Sequence, residues 1–229
     1  MIPLHHDFRG ETVLVFGGGP VGARKARRFA REARVVVVSP DFADREFEPE
    51  GKAGPDGAAG DVEFVRAAPA PDDAVDWLDR VVPALVVAAT DDSDLNDAVA
   101  AAASERGILY NRADRSGTDR RPIGEVVVPA TVRDEPVVAS LATGGASPAL
   151  SKHLRQRLED ELAGAGAMAE LTADLRADLQ ARDVDPEARR RAVRRVVRDS
   201  NVWKALGAGS SKAHRRATEV VAEVVGDEP

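Results

Sequence analysis

The sequence predicts an α/β fold: a doubly wound parallel sheet, then a small β segment, then an α-helical C-terminal part. Three observations carry this. Over residues 1–112, short apolar runs rich in β-branched residues alternate with helix-like segments, the pattern of a parallel sheet covered on both faces. After Asn111 the chain turns polar, and two strand-like runs follow. From Pro148 onward apolar residues recur at helical spacing.

The first apolar run, Val13 to Phe16, ends in Gly17-Gly18-Gly19-Pro20-Val21-Gly22 and opens onto a helix-like segment, Ala23 to Arg31. Glycines 17, 19 and 22 have the spacing G-x-G-x-x-G in a strand–turn–helix context, which makes the pattern a dinucleotide-binding fingerprint of Rossmann-like folds. Gly17 lets the chain turn off the strand, Gly19 lets backbone approach a pyrophosphate, and Gly22 lets the helix pack close to the sheet. The helix N-terminus offers free N–H groups and partial positive charge to phosphates. A glycine turn without a ligand is the alternative, and the flanking strand and helix argue against it.

Val35 to Val38 is four β-branched residues in a row and completes a β-α-β unit of about 30 residues. It ends at Ser39-Pro40, where Asp41 is the nearest carboxylate for ribose hydroxyls, slightly later than usual. No arginine adjoins Asp41 in sequence, which favours NAD over NADP. Residues Ala43 to Asp61 read as an exposed loop, Asp61 to Arg66 as a strand and Asp73 to Val81 as a helix. Leu85 to Ala89 is a buried strand ended by Thr90-Asp91-Asp92, and Asp94 to Glu105 a helix capped by Asp92 or Ser93. Ile108 to Tyr110 is the next strand, closing on Asn111. The expected cofactor contacts are Gly17, Gly19, Pro20, Val21 and Gly22 in the loop. Ser39, Pro40, Asp41 and Phe42 join them after the second strand, and Thr90 and Asp91 after the fourth.

Residues 113–124 are polar and read as a loop. Glu125 to Val132 and Pro136 to Leu141 are strand-like runs around Arg133-Asp134-Glu135, a hairpin pattern. Such a hairpin is marginal alone, so pairing with a second copy of the chain is expected. Ser147 is placed to cap a helix with Pro148 at its first position. Helical spacing follows in Leu150, Leu154, Leu158 and Leu162, then in Leu171, Leu175 and Leu179. Asp185-Pro186-Glu187 starts a helix carrying Val193, Val196 and Val197, and Ser210-Ser211 starts the last, with Ala213, Ala217, Val220, Val221 and Val224 on one face. The expected division is 1–112, 113–146 and 147–229.

At 229 residues the chain is long enough for one or two domains with a sizeable core. The absence of cysteine excludes disulfides and thiolate metal sites and fits a cytoplasmic setting. No apolar run approaches the roughly 20 residues of a membrane helix, and no signal-peptide pattern opens the chain. A net charge of −7 and a pI near 5.2 argue against general nucleic-acid affinity, and the arginines of 189–198, without interleaved aromatics, read as a solvated face. Five lysines against 27 arginines suit a high-salt or high-GC source. The four histidines have no ligand spacing, Asp91, Asp92 and Asp94 fit helix capping, and no nucleophile elbow is present. No resident metal site is expected. Carboxylates remain as candidate acids and bases, above all Asp114, just past a strand whose C-terminal end faces the cofactor. A turn aspartate is its plainer reading. Arg24 and Lys25 lie in the first helical turn, near phosphates or substrate carboxylates.

These pieces occur together in a known order. Gly17-Gly18-Gly19-x-Val21-Gly22-x-Arg24-Lys25 precedes Ala88-Ala89-Thr90-Asp91-Asp92-x-x-Leu95-Asn96 and Asn111-x-x-Asp114. Val128-Pro129-Ala130-Thr131-Val132 and Thr143-Gly144-Gly145-Ala146-Ser147-Pro148-Ala149-Leu150 follow. From about residue 3 to 160 the chain closely resembles the precorrin-2 dehydrogenase / sirohydrochlorin ferrochelatase family, the terminal enzymes of siroheme synthesis. The resemblance implies NAD-dependent oxidation of precorrin-2 to sirohydrochlorin, then insertion of Fe²⁺ as a second substrate, with a dehydrogenase-only enzyme as the alternative. It implies Asp114 as the catalytic residue and a homodimer joined through about residues 113–146. The tetrapyrrole carries eight carboxylates, so Arg24, Arg112, Arg115, Lys152 and Arg155 are expected to bind it, with Asn111, Thr143 and Gly144 as polar contacts. Two departures stand beside this site: Gly117-Thr118-Asp119-Arg120-Arg121-Pro122 lengthens the chain by about five residues, and Val126 replaces an aromatic. A non-enzymatic NAD-sensing regulatory subunit would explain the glycine loop and the helices, but not Asn111-x-x-Asp114 or the Thr143 to Pro148 segment.

Overall fold

The computed structural model describes residues 2–43, 61–115 and 120–226, and these form two compact units. Most of the predicted loop between Ala43 and Asp61, and Gly117-Thr118-Asp119 of the lengthened segment, lie outside the described residues.

The first unit spans 1–128 with 144–146. Its strands are β1 (Thr12–Phe16), β2 (Arg34–Ser39), β3 (Val62–Arg66), β4 (Leu85–Ala88) and β5 (Leu109–Arg112). Its helices are α1 (Pro20–Phe29), α2 (Ala74–Val81), entered by a 3-10 turn, and α3 (Ser93–Glu105). The strands form one parallel sheet in the order β3-β2-β1-β4-β5. Successive side chains point to opposite faces, and both faces are covered. Leu14, Phe16, Val36, Val38 and Val86 pack with α2 and α3, whereas Val13, Val15, Val35, Val37 and Val87 pack with Ala23 and Ala26 of α1. This double burial is why these strands read as unbroken apolar runs. The chain reverses its order of strand addition between β1 and β4, so their C-terminal ends flank a topological switch point, where open α/β sheets bind ligands.

The glycines set how closely α1 approaches β1. Gly17 adopts φ +113°, and a Cβ there would stand 2.3 Å from the Ala89 carbonyl oxygen. A Cβ on Gly22 would stand 1.9 Å from the Gly17 carbonyl oxygen, so only glycine fits. Gly19 faces open space. The helix begins at Pro20, three residues before the predicted start, because Pro20 takes the first position and Gly19 the cap.

Of the two candidate caps for α3 it is Asp92, whose Oδ1 accepts from the N–H groups of Asp94 (2.9 Å) and Leu95 (3.1 Å). The predicted strand Glu125 to Val132 is corrected: its two ends go to different partners. Val126 N donates to the Tyr110 carbonyl at 2.8 Å, so this end runs beside β5 in the first unit. Only Ala130–Asp134 (β6) pairs with Val137–Leu141 (β7), antiparallel, across the turn Glu135-Pro136.

The second unit holds that hairpin and five helices: α4 (Pro148–Glu161), α5 (Ala165–Ala181), α6 (Pro186–Arg198), α7 (Ser200–Leu206) and α8 (Ser210–Val225). Leu171, Leu175 and Leu179 are all buried, with Ala192 and Val196 of α6 and Ala217, Val220 and Val221 of α8. Side-chain caps from Ser147, Asp185 and Asp199 start α4, α6 and α7. By contrast, α4 buries none of its residues, and Leu150 is 47% exposed.

The glycine packing yields a test. Gly22→Ala forces overpacking against backbone and is expected to cost about 1–3 kcal/mol, whereas Gly19→Ala, which opens onto space, should stay within about 0.5 kcal/mol of wild type. Thermal or urea unfolding measures both; equal stabilities for the two variants would contradict the packing.

Candidate functional site

The glycine loop is tied to the chain leaving β2. Gly17 N donates to the Val38 carbonyl (3.0 Å) and Ala43 N to the Gly18 carbonyl (2.8 Å). A Cβ on Gly18 would stand 2.1 Å from the Asp41 carbonyl oxygen and 2.8 Å from the Ser39 side chain. Gly18 is therefore as sterically constrained as Gly17 and Gly22, although the G-x-G-x-x-G spacing assigns it nothing. At the start of α1, Gly19 brings no side-chain cap and no acidic residue stands in the first turn. The N–H groups there remain available to an anion, with the helix dipole aligned behind them. A bare helix N-terminus at the switch point, behind a glycine that leaves open space, fits a dinucleotide pyrophosphate. Ser39 is buried at the end of β2. Across the switch point Asn96 fixes Thr90: its Nδ2 donates to the Thr90 carbonyl (2.8 Å), and its Oδ1 accepts from Thr90 Oγ1 (2.8 Å). Asp91 is exposed beside it.

An arginine does stand beside Asp41, contrary to the reading from sequence neighbours. Arg66 Nη1 lies 3.2 Å from Asp41 Oδ1 and donates to the Pro40 carbonyl at 2.8 Å. Its guanidinium also lies 5.6 Å from the centre of the Phe42 ring. The register Ser39↔Arg66 between parallel β2 and β3 brings them together, which sequence spacing does not reveal. In α1, Arg24 is exposed, and the Lys25 ammonium is pushed down to about 8, first by burial and then by repulsion from Arg28 and Arg24.

The end of β5 carries the strongest electrostatics of the unit. Arg112 is 3% exposed. Its Nε donates to Asp114 Oδ1 (2.8 Å) and its Nη2 to Asp114 Oδ2 (2.6 Å), a two-pronged pairing, while Nη1 bonds Asp97 of α3. Asp97 also receives Arg115 Nη2 at 2.8 Å. The Asp114 side chain is 27% exposed. Its carboxyl is held below the usual carboxylate range, first by the Arg112 hydrogen bonds; burial opposes this, and an Asn96 hydrogen bond adds to it. The same partners push Arg112 above its ordinary value and Asp97 below its own. Partial burial alone would make Asp114 more basic, but pairing with Arg112 outweighs desolvation. Because the folded value lies below the unfolded one, the pairing stabilises the fold above about the ordinary value of 3.8 and is lost as pH falls through the lowered value.

Arg112, expected to hold substrate carboxylates, is engaged inward by Asp97 and Asp114, and what it orients is Asp114. Asn111 Nδ2 donates to the Val126 carbonyl at 2.8 Å, and its buried Oδ1 accepts no hydrogen bond from any described residue. In the second unit, Thr143 Oγ1 lies 2.9 Å from Ser151 Oγ and fastens the segment to the first turns of α4. Lys152 is exposed there, and Arg155 pairs with Glu159. Gly144 adopts φ +63° with open space around it. Sequence reasoning missed Asp97 and the role of Asn96. Asp97 lies 15 residues before Arg112, and only the packing of α3 against β5 joins them. Among the described residues no His/Cys/Asp/Glu group is arranged to hold a metal ion, and no helix is long and apolar enough to cross a membrane.

Residues 4–130 match the model of a family described as "Putative NAD(P)-binding". The chain is 36% identical over 193 residues to siroheme synthase of Chromobacterium violaceum, covering 82% of this chain and 37% of that protein. It is 29% identical over 227 residues to precorrin-2 dehydrogenase of Methanosarcina barkeri, covering 96% of this chain and 93% of that protein. The chain thus spans little more than a third of the siroheme synthase and nearly all of the precorrin-2 dehydrogenase. Among solved structures, SirC, precorrin-2 dehydrogenase, superposes with a TM-score of 0.66 at 20% identity, over 96% of this chain and 100% of that one, which establishes the shared fold. By the match over more than half its length and by these relatives, the chain belongs to the NAD(P)-binding family represented by precorrin-2 dehydrogenases and siroheme synthases.

Proposed function

We propose that this protein oxidises precorrin-2 to sirohydrochlorin with NAD⁺. The observation that carries the reading is an ionised carboxylate, Asp114, clamped by buried Arg112 at the C-terminal end of β5, in the same unit as the bare N-terminus of α1. The names of the relatives support the substrate. Bound NAD⁺ supplies the hydride acceptor. Gly17, Gly19 and Gly22 with Pro20 and Val21 would hold its pyrophosphate, Ser39 to Phe42 its ribose, and Thr90 and Asp91 would lie across the switch point. The oxidation removes two hydrogens from the macrocycle; bound NAD⁺ would supply the acceptor for the hydride, and an Asp114 oxygen would take the proton. Arg112 keeps Asp114 deprotonated and aimed. Arg24 and Arg115 of the first unit would receive substrate carboxylates, with Asn111 and Gly144 as further polar contacts. The buried, unsatisfied Asn111 Oδ1 supports an incoming N–H donor.

Insertion of Fe²⁺ into sirohydrochlorin is the further step, and it requires removal of two pyrrolic N–H protons. No departing hydride drives this proton loss, and Asp114, both of whose oxygens Arg112 engages, is a weak base for it. That favours a dehydrogenase without chelatase activity as the second reading, as does the precorrin-2 dehydrogenase of matching length. A homodimer accompanies either reading: α4 buries none of its own residues, and the β6–β7 hairpin buries only Val132, so a second copy covers both.

Asp114→Asn and Asp114→Ala are expected to lower kcat for precorrin-2 oxidation by about 10²–10⁴-fold, with NAD⁺ affinity by calorimetry nearly unchanged. Wild-type rates in either variant would remove Asp114 from the chemistry; absence of sirohydrochlorin with the wild type would overturn the function. Anaerobic addition of sirohydrochlorin and Fe²⁺ decides the second step: insertion above the protein-free rate that Asp114→Ala abolishes establishes it, and no excess establishes the dehydrogenase alone. Light scattering at micromolar concentration is expected to give twice 24.3 kDa, and a monomer would contradict the dimer.

A further inference from the structure

The helical unit carries a cationic groove remote in sequence from the residues of the proposed site. It lies between α5 and α6 and encloses about 750 Å³. Arg176 of α5 and Arg189, Arg190 and Arg194 of α6 line it, with Val193 as an apolar part of the wall and Glu187 as the single acid. The periodicity of α6 produces this division. Ala188, Ala192 and Val196 turn into the core, which leaves the stripe from Pro186 through Arg189, Arg190, Val193 and Arg194 to 40%-exposed Val197 facing outward.

Two of these arginines are braced. Arg190 Nε donates to the Pro186 carbonyl (3.2 Å) and Arg194 Nε to the Arg190 carbonyl (3.3 Å), leaving their terminal nitrogens free for other acceptors. None of the four arginines forms an ion pair with a described residue, whereas arginines elsewhere in the protein, such as Arg112, Arg155 and Arg216, are paired. Four cations converging on one groove in a chain of net charge −7 repel one another, and a bound polyanion relieves that repulsion with charge-assisted hydrogen bonds. Val193 and Pro186 add a small apolar face, and Gln180 a neutral polar one. The lining holds no aromatic residue on which nucleic-acid bases would stack. The lined stretch of α6, from 186 to 194, extends about 12 Å at the helical rise, and the volume lies in the range of small-molecule sites.

We infer that the α5–α6 groove is a second binding site, taking a flat apolar molecule with several peripheral carboxylates, a polycarboxylate tetrapyrrole. The anion site stands on the arginines alone; the choice of a tetrapyrrole rests on the proposed function. Such a site retains a carboxylated macrocycle on the protein away from Asp114.

The probe is uroporphyrin III, an octacarboxylic porphyrin, titrated calorimetrically into the full-length protein. Wild type is expected to take up two equivalents per chain, and Arg189→Glu with Arg190→Glu one, or to lose at least tenfold in affinity for the second. Arg189→Gln with Arg190→Gln should fall between, and kcat/KM for precorrin-2 oxidation should be unchanged in both. Melting temperatures verify that substitutions at half-buried Arg189 and exposed Arg190 leave the fold intact. Unchanged stoichiometry and affinity on charge reversal would overturn the site. Displacement of the porphyrin from it by equimolar inorganic pyrophosphate would make it a phosphate site, and a changed oligomeric mass with unchanged porphyrin binding would make it a protein contact; either overturns the inference. If wild type has no dehydrogenase activity yet charge reversal removes one porphyrin, the proposed function fails and the groove stands.

Discussion

A guanidinium that is 3% exposed at the end of a parallel strand must be neutralised where it stands, and Arg112 organises its surroundings on that account. It takes both oxygens of Asp114, two residues on in the chain, and reaches Asp97 on α3. Removing either carboxylate leaves a buried charge undercompensated, the costly direction for such pairs. The chain beyond β5 is therefore anchored through its own side chain rather than by sheet hydrogen bonds alone. The consequence for chemistry is directional: Asp114 is ionised over the whole neutral range and is a weak base there. A weak, permanently ionised acceptor suits a step in which departing hydride drives proton loss. It suits the stripping of pyrrolic N–H groups less well.

The second constraint is contact between backbones. Gly17, Gly18 and Gly22 each sit where a Cβ would collide with a carbonyl oxygen, and Gly19 sits where it would not. The first three bring β1, α1 and the chain after β2 together; the fourth leaves open space before α1. Both constraints act at the C-terminal edge of one sheet, so the cofactor loop and the carboxylate share a rigid parallel scaffold.

Much of this was legible in the chain. The Val35 to Val38 run, the glycine spacing and the leucine periodicity at 171, 175 and 179 correspond to a buried strand, a strand–helix turn and a core helix face. These are local signals, fixed by pleat, helical period and steric size. What was not legible depends on neighbours distant in sequence. Arg66 meets Asp41 through strand register, and Asp97 meets Arg112 through packing of α3 on β5. The direction of the Asp114 shift was not legible either, although Arg112 lies only two residues away, because the chain does not say that the guanidinium turns inward and holds both carboxylate oxygens. The strand expected from Glu125 to Val132 failed for a related reason: its apolar residues serve two different partners, β5 and β7, and hydrophobicity does not say which.

The most direct test of the account is the ionisation of Asp114 itself, followed by carbon-13 NMR of its carboxyl through an acid titration, in wild type and in Arg112→Met. The account requires a wild-type value below the ordinary 3.8, rising once the guanidinium is gone. A wild-type value at or above 3.8, unmoved by Arg112→Met, would mean that the buried arginine does not hold the carboxylate, and the account would fail.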